Sequence, residues 1–140
     1  MAVFKDSKEL LEYIAGAWER VLQIPELEKE LRKANAVALL RYTDPEAFFY
    51  VDCSRDPSRV VYEHMERPAE LDMVMSGDFG NKFMCGKTSM PVAMMKGEIK
   101  IKGPTSLLFS MLPVVRKSFD VYRKLLEEKG RKDLLEAAEK

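Results

Sequence analysis

The chain has 140 residues, about the length of one domain and enough to bury a hydrophobic core. Hydrophobic residues make up 46% and charged residues 33%, as is typical of a soluble globular protein. The 23 basic residues equal the 23 acidic residues in number. The net charge therefore provides no field that would attract nucleic acid or an anionic membrane, and neither is expected as a partner.

Residues 1–16 carry a charge every few positions, so they do not predict a signal peptide. No apolar run reaches the roughly 20 residues of a membrane span, and stable membrane insertion is not expected. Cys53 and Cys85 lie far apart and form no CxxC pair, which favours reduced core thiols over a disulfide or zinc site. We therefore expect one cytoplasmic domain covering residues 1–140, with no metal and no cofactor.

The N-terminal part predicts two helices. Residues 6–22 carry apolar side chains at helical spacing, with Asp6 as the cap and Glu9 placed for a capping box. Pro25 suits the first turn of a second helix, with Leu27 and Leu31 on its inner side.

Four strands are predicted next, over residues 36–42, 47–52, 59–65 and 70–76. The segment Thr43-Asp44-Pro45 and the segment 56–58 are turn signals between them. The first three strands are closely spaced, so we expect antiparallel pairing.

The C-terminal half predicts a further strand among helices. Residues 78–85 predict one or two helical turns, and Ser89 can cap a short helix that ends at Gly97. Residues 97–103 alternate between apolar and charged side chains and predict a strand.

Residues 104–112 predict a helix that is apolar on nearly all sides. Pro113 is expected to interrupt this helix because it lacks a backbone donor, before a second helix over 114–129.

Motifs for catalysis are absent or incomplete. The single histidine, His64, has no Ser or Cys at a spacing typical of a triad and is expected on a strand surface. The segment Gly80 to Thr88 resembles a phosphate-binding loop but has five residues where that loop needs four. The only catalytic group worth testing combines His64, Asp72 and Tyr62, and we expect the protein not to be an enzyme.

Methionines are concentrated in one stretch of the chain. Seven of the nine fall between positions 73 and 111: Met73, Met75, Met84, Met90, Met94, Met95 and Met111. Methionine adapts to irregular apolar shapes, so the cluster suits a ligand pocket, although ordinary core packing is the default interpretation. The outer side of the apolar helix 104–112 needs cover, which either a ligand or a second subunit would supply.

Residues 71–112 resemble the sterol carrier protein family, the nonspecific lipid-transfer proteins. The resemblance lies in Gly86-Lys87, in the apolar segment 91–95, in the lysine- and isoleucine-rich segment 96–103 between two glycines, and in the apolar segment 107–112. It covers about 40 residues, and the earlier order of one helix region and three strands agrees with it.

The resemblance implies an α+β fold with a five-stranded, largely antiparallel sheet covered by helices and an apolar tunnel between them. The implied ligands are fatty acids, acyl chains, sterols or phospholipids. The alternative is a non-catalytic dimerisation or scaffold module. Carried over by position, the implied tunnel wall comprises Phe79, Phe83, Met84, Met90, Val92, Met94, Met95, Ile99, Ile101, Leu107, Leu108, Phe109, Met111 and Leu112.

Overall fold

The computed structural model describes residues 2–140. Its N-terminal helix is continuous, with α1 (Ser7–Leu10), a π-helical segment (Leu11–Ala15) and α2 (Gly16–Leu22). The predicted cap is confirmed, because the Asp6 carboxylate accepts from the Glu9 backbone N–H at 2.9 Å. The second helix, α3 (Pro25–Arg32), begins at its proline as expected.

Five strands form one mixed sheet in the order β3-β2-β1-β4-β5. The central strands β1 and β4 run parallel, and the other three pairs are antiparallel. The predicted five-stranded, largely antiparallel sheet is therefore confirmed. The strands are β1 (Val37–Thr43), β2 (Ala47–Asp52), β3 (Arg59–Val61), β4 (Leu71–Ser76) and β5 (Ile99–Lys102).

The two faces of the sheet differ in polarity because side chains alternate along each strand. The register places Leu40 of β1 beside Met73 of β4, and Met73 beside Ile101 of β5, so one face is apolar across three strands. The opposite face carries Arg41 and Asp72, whose side chains pair at 3.0 Å. Helices therefore pack on the apolar face.

Four helices follow in the C-terminal half: α4 (Gly77–Met84), α5 (Met90–Lys96), α6 (Thr105–Glu128) and α7 (Lys132–Ala137). The hydroxyl of Ser89 caps α5 by accepting from the Val92 N–H at 3.3 Å, and Gly97 ends that helix with a φ of 74°. No helix within residues 2–140 is both long and apolar enough to cross a membrane.

Two predictions about element boundaries are wrong. Pro113 lies inside the continuous helix α6 and does not interrupt it. Its side chain is exposed, so water can hydrate the backbone carbonyl that loses its partner. Strand β3 ends at Val61, so His64 lies in an exposed segment beyond the strand. Just beyond the strand, the Tyr62 hydroxyl donates a hydrogen bond to Glu19 of α2.

A buried carboxylate joins α3 to the loop before β3. Glu28 is only 6% exposed, and its two oxygens accept from the Arg32 guanidinium at 2.9 Å. The Ser58 backbone N–H donates to the same carboxylate at 3.0 Å. These hydrogen bonds lower the pKa of Glu28 from 4.5 to about 2, and the bond from Arg32 makes the largest contribution.

We expect Glu28→Gln to lower the free energy of unfolding at pH 7 by about 1–3 kcal/mol, because it leaves buried donors poorly matched. The folded-state pKa is depressed, so the carboxylate stabilises the fold above pH 4.5, and this contribution is lost as the pH falls towards about 2. Urea denaturation at several pH values measures this pH-dependent contribution to the free energy of unfolding. Glu30→Gln, at an exposed position of the same helix, is the control and should cost much less. If the loss of unfolding free energy in Glu28→Gln stays constant from pH 7 to pH 2, the ionised Glu28 carboxylate is not the source of the stabilisation.

Candidate apolar ligand site

An apolar cavity of about 50 Å³ lies between the apolar face of the sheet and helices α2, α4, α5 and α6. Its floor comes from the inward-facing side chains of β1, β2, β4 and β5, and its roof from the helices. The lining residues are Trp18, Ala38, Leu40, Tyr42, Val51, Leu71, Met73, Met75, Gly80, Phe83, Met84, Met90, Ile99, Leu108, Met111 and Val115.

Glycine at position 80 sets how closely α4 approaches the sheet. A Cβ atom built there would lie 2.8 Å from a ring carbon of Tyr42 and 3.2 Å from Ile14. Such a contact is too short, so a larger residue would push α4 away from β1. Gly80 therefore helps to close the cavity on the α4 side.

Five of the nine methionines line the cavity: Met73, Met75, Met84, Met90 and Met111. They come from β4, α4, α5 and α6, so the cluster in the sequence is also a cluster in space. Methionine side chains change rotamer at low cost and suit walls that adapt to apolar molecules of different shape. Met94 and Met95 lie outside this group, with side chains that are 37% and 88% exposed.

Two lining side chains carry polar atoms at the end of an apolar body. The indole Nε1 of Trp18 is buried and has no hydrogen-bond acceptor within residues 2–140. Burial raises the pKa of the Tyr42 hydroxyl above its ordinary value of 10, so this group stays neutral. The lining residues include no charged side chain. The cavity is therefore suited to neutral, apolar matter with at most a few polar atoms.

The cavity is smaller than the roughly 300 Å³ that is common for ligand sites. An elongated ligand would need the walls to move apart. Among the wall elements, α5 is a seven-residue helix between Gly86 and Gly97, which both have positive φ values. The floor belongs to a hydrogen-bonded sheet, so α5 is the wall element that can move with least disruption.

The structure brings together six of the fourteen residues of the predicted wall. Phe83, Met84, Met90, Ile99, Leu108 and Met111 line the cavity. Phe79 is buried behind them and stacks on Phe83 with ring centroids 6.2 Å apart. Ile101, Leu107 and Leu112 are half-buried, whereas Val92, Met94, Met95 and Phe109 are exposed.

Sequence reasoning missed the N-terminal half of the cavity wall. Trp18 of α2 and Ala38, Leu40 and Tyr42 of β1 line the cavity, but the sequence pattern predicted only a helix and a strand at these positions. The inward alternation of β1 was a usable signal for three of them. No local signal marks Trp18, because its approach to the cavity depends on where α2 packs.

The three residues of the only catalytic group worth testing each have a different partner. The Asp72 carboxylate pairs with Arg41, the Tyr62 hydroxyl with Glu19, and His64 Nδ1 lies 3.4 Å from the Tyr50 hydroxyl. The residues of the phosphate-loop-like segment from Gly80 to Met84 are helical, so they do not curl around a phosphate. Within residues 2–140 no group of three His, Cys, Asp or Glu side chains could hold a metal ion.

Comparison with protein families finds no matching family model, and no curated protein matches in sequence. Solved structures do match. The sterol carrier protein domain 2 of Helicoverpa armigera superposes with a TM-score of 0.67 at 16% identity, covering 79% of this chain and 88% of that chain. Sterol carrier protein 2 from Yarrowia lipolytica, in its apo form, has a TM-score of 0.60 at 18% identity, over 80% and 91% of the two chains.

The chain has the sterol carrier protein 2 fold. A UbiJ-SCP2 ubiquinone synthesis protein also matches, with a TM-score of 0.51 at 14% identity over 75% of this chain and 94% of that one. The fold implied by residues 71–112 is thereby confirmed along most of the chain. The cavity lies between the sheet and the helices of this fold, where the resemblance implies a tunnel.

Filling the cavity tests its role without adding a charge. Ala38→Val adds two methyl groups to the cavity floor, and we expect the free energy of unfolding to stay equal or rise by up to about 1 kcal/mol. Binding of cis-parinaric acid, a fluorescent fatty acid, should weaken by about fivefold or more, because less space remains for the chain.

Ala47→Val is the matched control, since Ala47 lies on the neighbouring strand β2 and does not line the cavity. Fluorescence titration measures both variants, and circular dichroism checks the fold. If Ala38→Val and Ala47→Val bind cis-parinaric acid with equal affinity, the cavity is not the binding site.

Proposed function

We propose that this protein binds one elongated apolar lipid in the cavity beneath α5 and α6. The ligand is a fatty acid, a fatty acyl chain, a sterol or the acyl part of a phospholipid. The observation that carries the proposal is the cavity lined by apolar side chains, five of them methionines. The names of the structural neighbours, which are sterol carrier proteins, support the same ligand class.

Burial of an acyl chain provides the driving force. About 14 methylenes at about 0.8 kcal/mol each correspond to roughly 11 kcal/mol of gross transfer free energy. Loss of ligand freedom and opening of the cavity oppose this gain by several kcal/mol. Because the methionine side chains rearrange at low cost, the free energy needed to open the cavity stays small. Micromolar affinity is the expected outcome, and exchange of the bound lipid between carriers or membranes is compatible with it.

The Trp18 indole suggests which polar atom of the ligand is recognised. Its N–H is buried and finds no acceptor among residues 2–140, and such a group costs about 1–3 kcal/mol unless a ligand or water satisfies it. A carbonyl or hydroxyl oxygen on the ligand would accept this hydrogen bond. We therefore propose a ligand with one oxygen acceptor next to a long apolar body.

Binding rather than catalysis is the proposed role. The lining residues include no histidine, cysteine, lysine or carboxylate that would serve as nucleophile or general base. Tyr42 is the one titratable lining side chain, and the raised pKa of its hydroxyl makes it a poor base or nucleophile at neutral pH.

Trp18 is the only tryptophan and lines the cavity, so its fluorescence reports directly on occupancy. A fatty acid with a bromine atom on the carbon next to its carboxyl group should quench Trp18 emission in a saturable titration, because bromine quenches only at close contact and the proposed hydrogen bond holds the carboxyl oxygen at the indole. Oleic acid, which carries no bromine, should reverse the quenching by competition.

Linear quenching that never saturates, or that oleic acid does not reverse, would refute binding in the cavity. Native mass spectrometry of the protein as purified complements the titration, because it identifies any lipid that accompanies the chain. A tight dimer at low concentration with no bound lipid and no saturable quenching would favour the scaffold alternative.

Trp18→Phe tests the recognition of an oxygen acceptor. We expect its affinity for cis-parinaric acid to fall by about five- to tenfold, the equivalent of one hydrogen bond of about 1–1.5 kcal/mol. Phe83→Leu also trims a lining aromatic ring but leaves the indole N–H in place, so it serves as the control. Equal losses in both variants, measured by fluorescence titration, would assign the effect to lost apolar contact and contradict the hydrogen bond.

A further inference from the structure

The outward sides of α5 and of the first turns of α6 expose large apolar side chains. Val92, Met94, Met95 and Phe109 are 46%, 37%, 88% and 52% exposed, and we call them the α5–α6 patch. They are four of the seven exposed large hydrophobic side chains found in residues 2–140. Isolated exposed apolar residues need no explanation, but four within 18 positions indicate an interaction surface.

The charge of the surrounding segment is strongly asymmetric. Residues 86–117 contain six Lys or Arg and a single acidic residue, Glu98, so this segment has a net charge of +5 in a chain that is neutral overall. The remaining residues therefore carry −5. Not all of these cations lie near the patch, because Lys87 pairs with Glu139 at 2.9 Å and Lys100 and Lys102 lie on the face of the sheet opposite the cavity.

Two of these cations flank the patch itself. Lys96 is four positions after Val92 on α5, and Arg116 is seven positions after Phe109 on α6, so each shares a helix side with an exposed apolar residue. Both are exposed, and neither forms a salt bridge with a carboxylate in the described part of the chain. Their charge is available to an external anion.

We propose that the α5–α6 patch docks on an anionic lipid bilayer. Met95 and Phe109 enter the boundary between headgroups and acyl chains, while Lys96 and Arg116 contact headgroup phosphates. Charge complementarity favours this occupant over a second copy of the chain. A two-fold contact would bring the same cations of both copies together, which is unfavourable.

The patch has a direct relation to the cavity. Met90 of α5 and Leu108 and Met111 of α6 face inward and line the cavity, while the patch lies on the outer sides of the same helices. In the docked protein, a single layer formed by α5 and α6 therefore separates the cavity from the bilayer. Docking goes beyond the proposed function and is testable with no ligand bound.

Vesicle flotation measures the docking. The probe is vesicles of phosphatidylcholine with about 30 mol% phosphatidylglycerol, compared with pure phosphatidylcholine at about 0.1 M salt. The full chain should float with the anionic vesicles and bind the neutral ones about tenfold more weakly. Raising the salt to about 0.5 M should weaken binding to the anionic vesicles, because part of the attraction is electrostatic.

Paired variants separate the apolar and cationic contributions. Met95→Ser with Phe109→Ser, and Lys96→Glu with Arg116→Glu, should each lower affinity for anionic vesicles by about tenfold or more. All four side chains are exposed, so circular dichroism should be unchanged.

The matched controls are Phe48→Ser and Lys129→Glu. Phe48 is 39% exposed on β2, and Lys129 lies 20 residues beyond Phe109, about 30 Å along α6. Both controls should bind as the unaltered chain does.

Equal binding to both vesicle types, unchanged binding of the patch variants, or equal losses in the controls would each overturn the proposal. A dimer that dissociates in Met95→Ser with Phe109→Ser, without vesicle binding by the unaltered chain, would assign the patch to a second copy and also overturn it. Ala38→Val keeps the two proposals apart. It should bind fatty acid about fivefold or more weakly and still dock on anionic vesicles as the unaltered chain does.

Discussion

The parallel pairing of β1 with β4 is the constraint on which the rest of the structure depends. It sets Ala38 beside Leu71, Leu40 beside Met73 and Tyr42 beside Met75, so the two central strands form one apolar floor. Parallel neighbours cannot be joined by a tight turn, and the chain instead passes through β2 and β3 before it returns as β4. The helices that follow then pack on this floor and enclose the cavity.

The walls of the cavity differ in stiffness. Backbone hydrogen bonds tie each floor residue to a neighbouring strand, so the floor keeps its shape. The roof includes the short helix α5, which ends at Gly97 with a positive φ, and several methionines. A rigid floor with an adaptable roof suits a site that accepts chains of variable shape, because the adaptation is confined to elements that contribute little to the sheet.

Helices α5 and α6 present one apolar side to the cavity and leave another in water. Leu108 is 2% exposed, whereas the adjacent Phe109 is 52% exposed, as the helical rotation of about 100° per residue requires. The nearly all-round apolar character of residues 104–112 therefore corresponds to two uses of one helix. The inner side completes the cavity, and the outer side carries the exposed Phe109, with the exposed Arg116 two turns further along the helix.

The sequence by itself determined the local elements and their caps. Asp6, Ser89 and Gly97 mark helix ends because their side chains or backbone freedom act over three or four residues, and the methionine cluster marked part of the cavity wall. Only the tertiary structure decided that β1 lies beside β4, that Trp18 reaches the cavity, and that Phe109 faces water. It also showed that α6 tolerates Pro113. These outcomes depend on contacts between residues far apart in the chain, which local spacing does not encode.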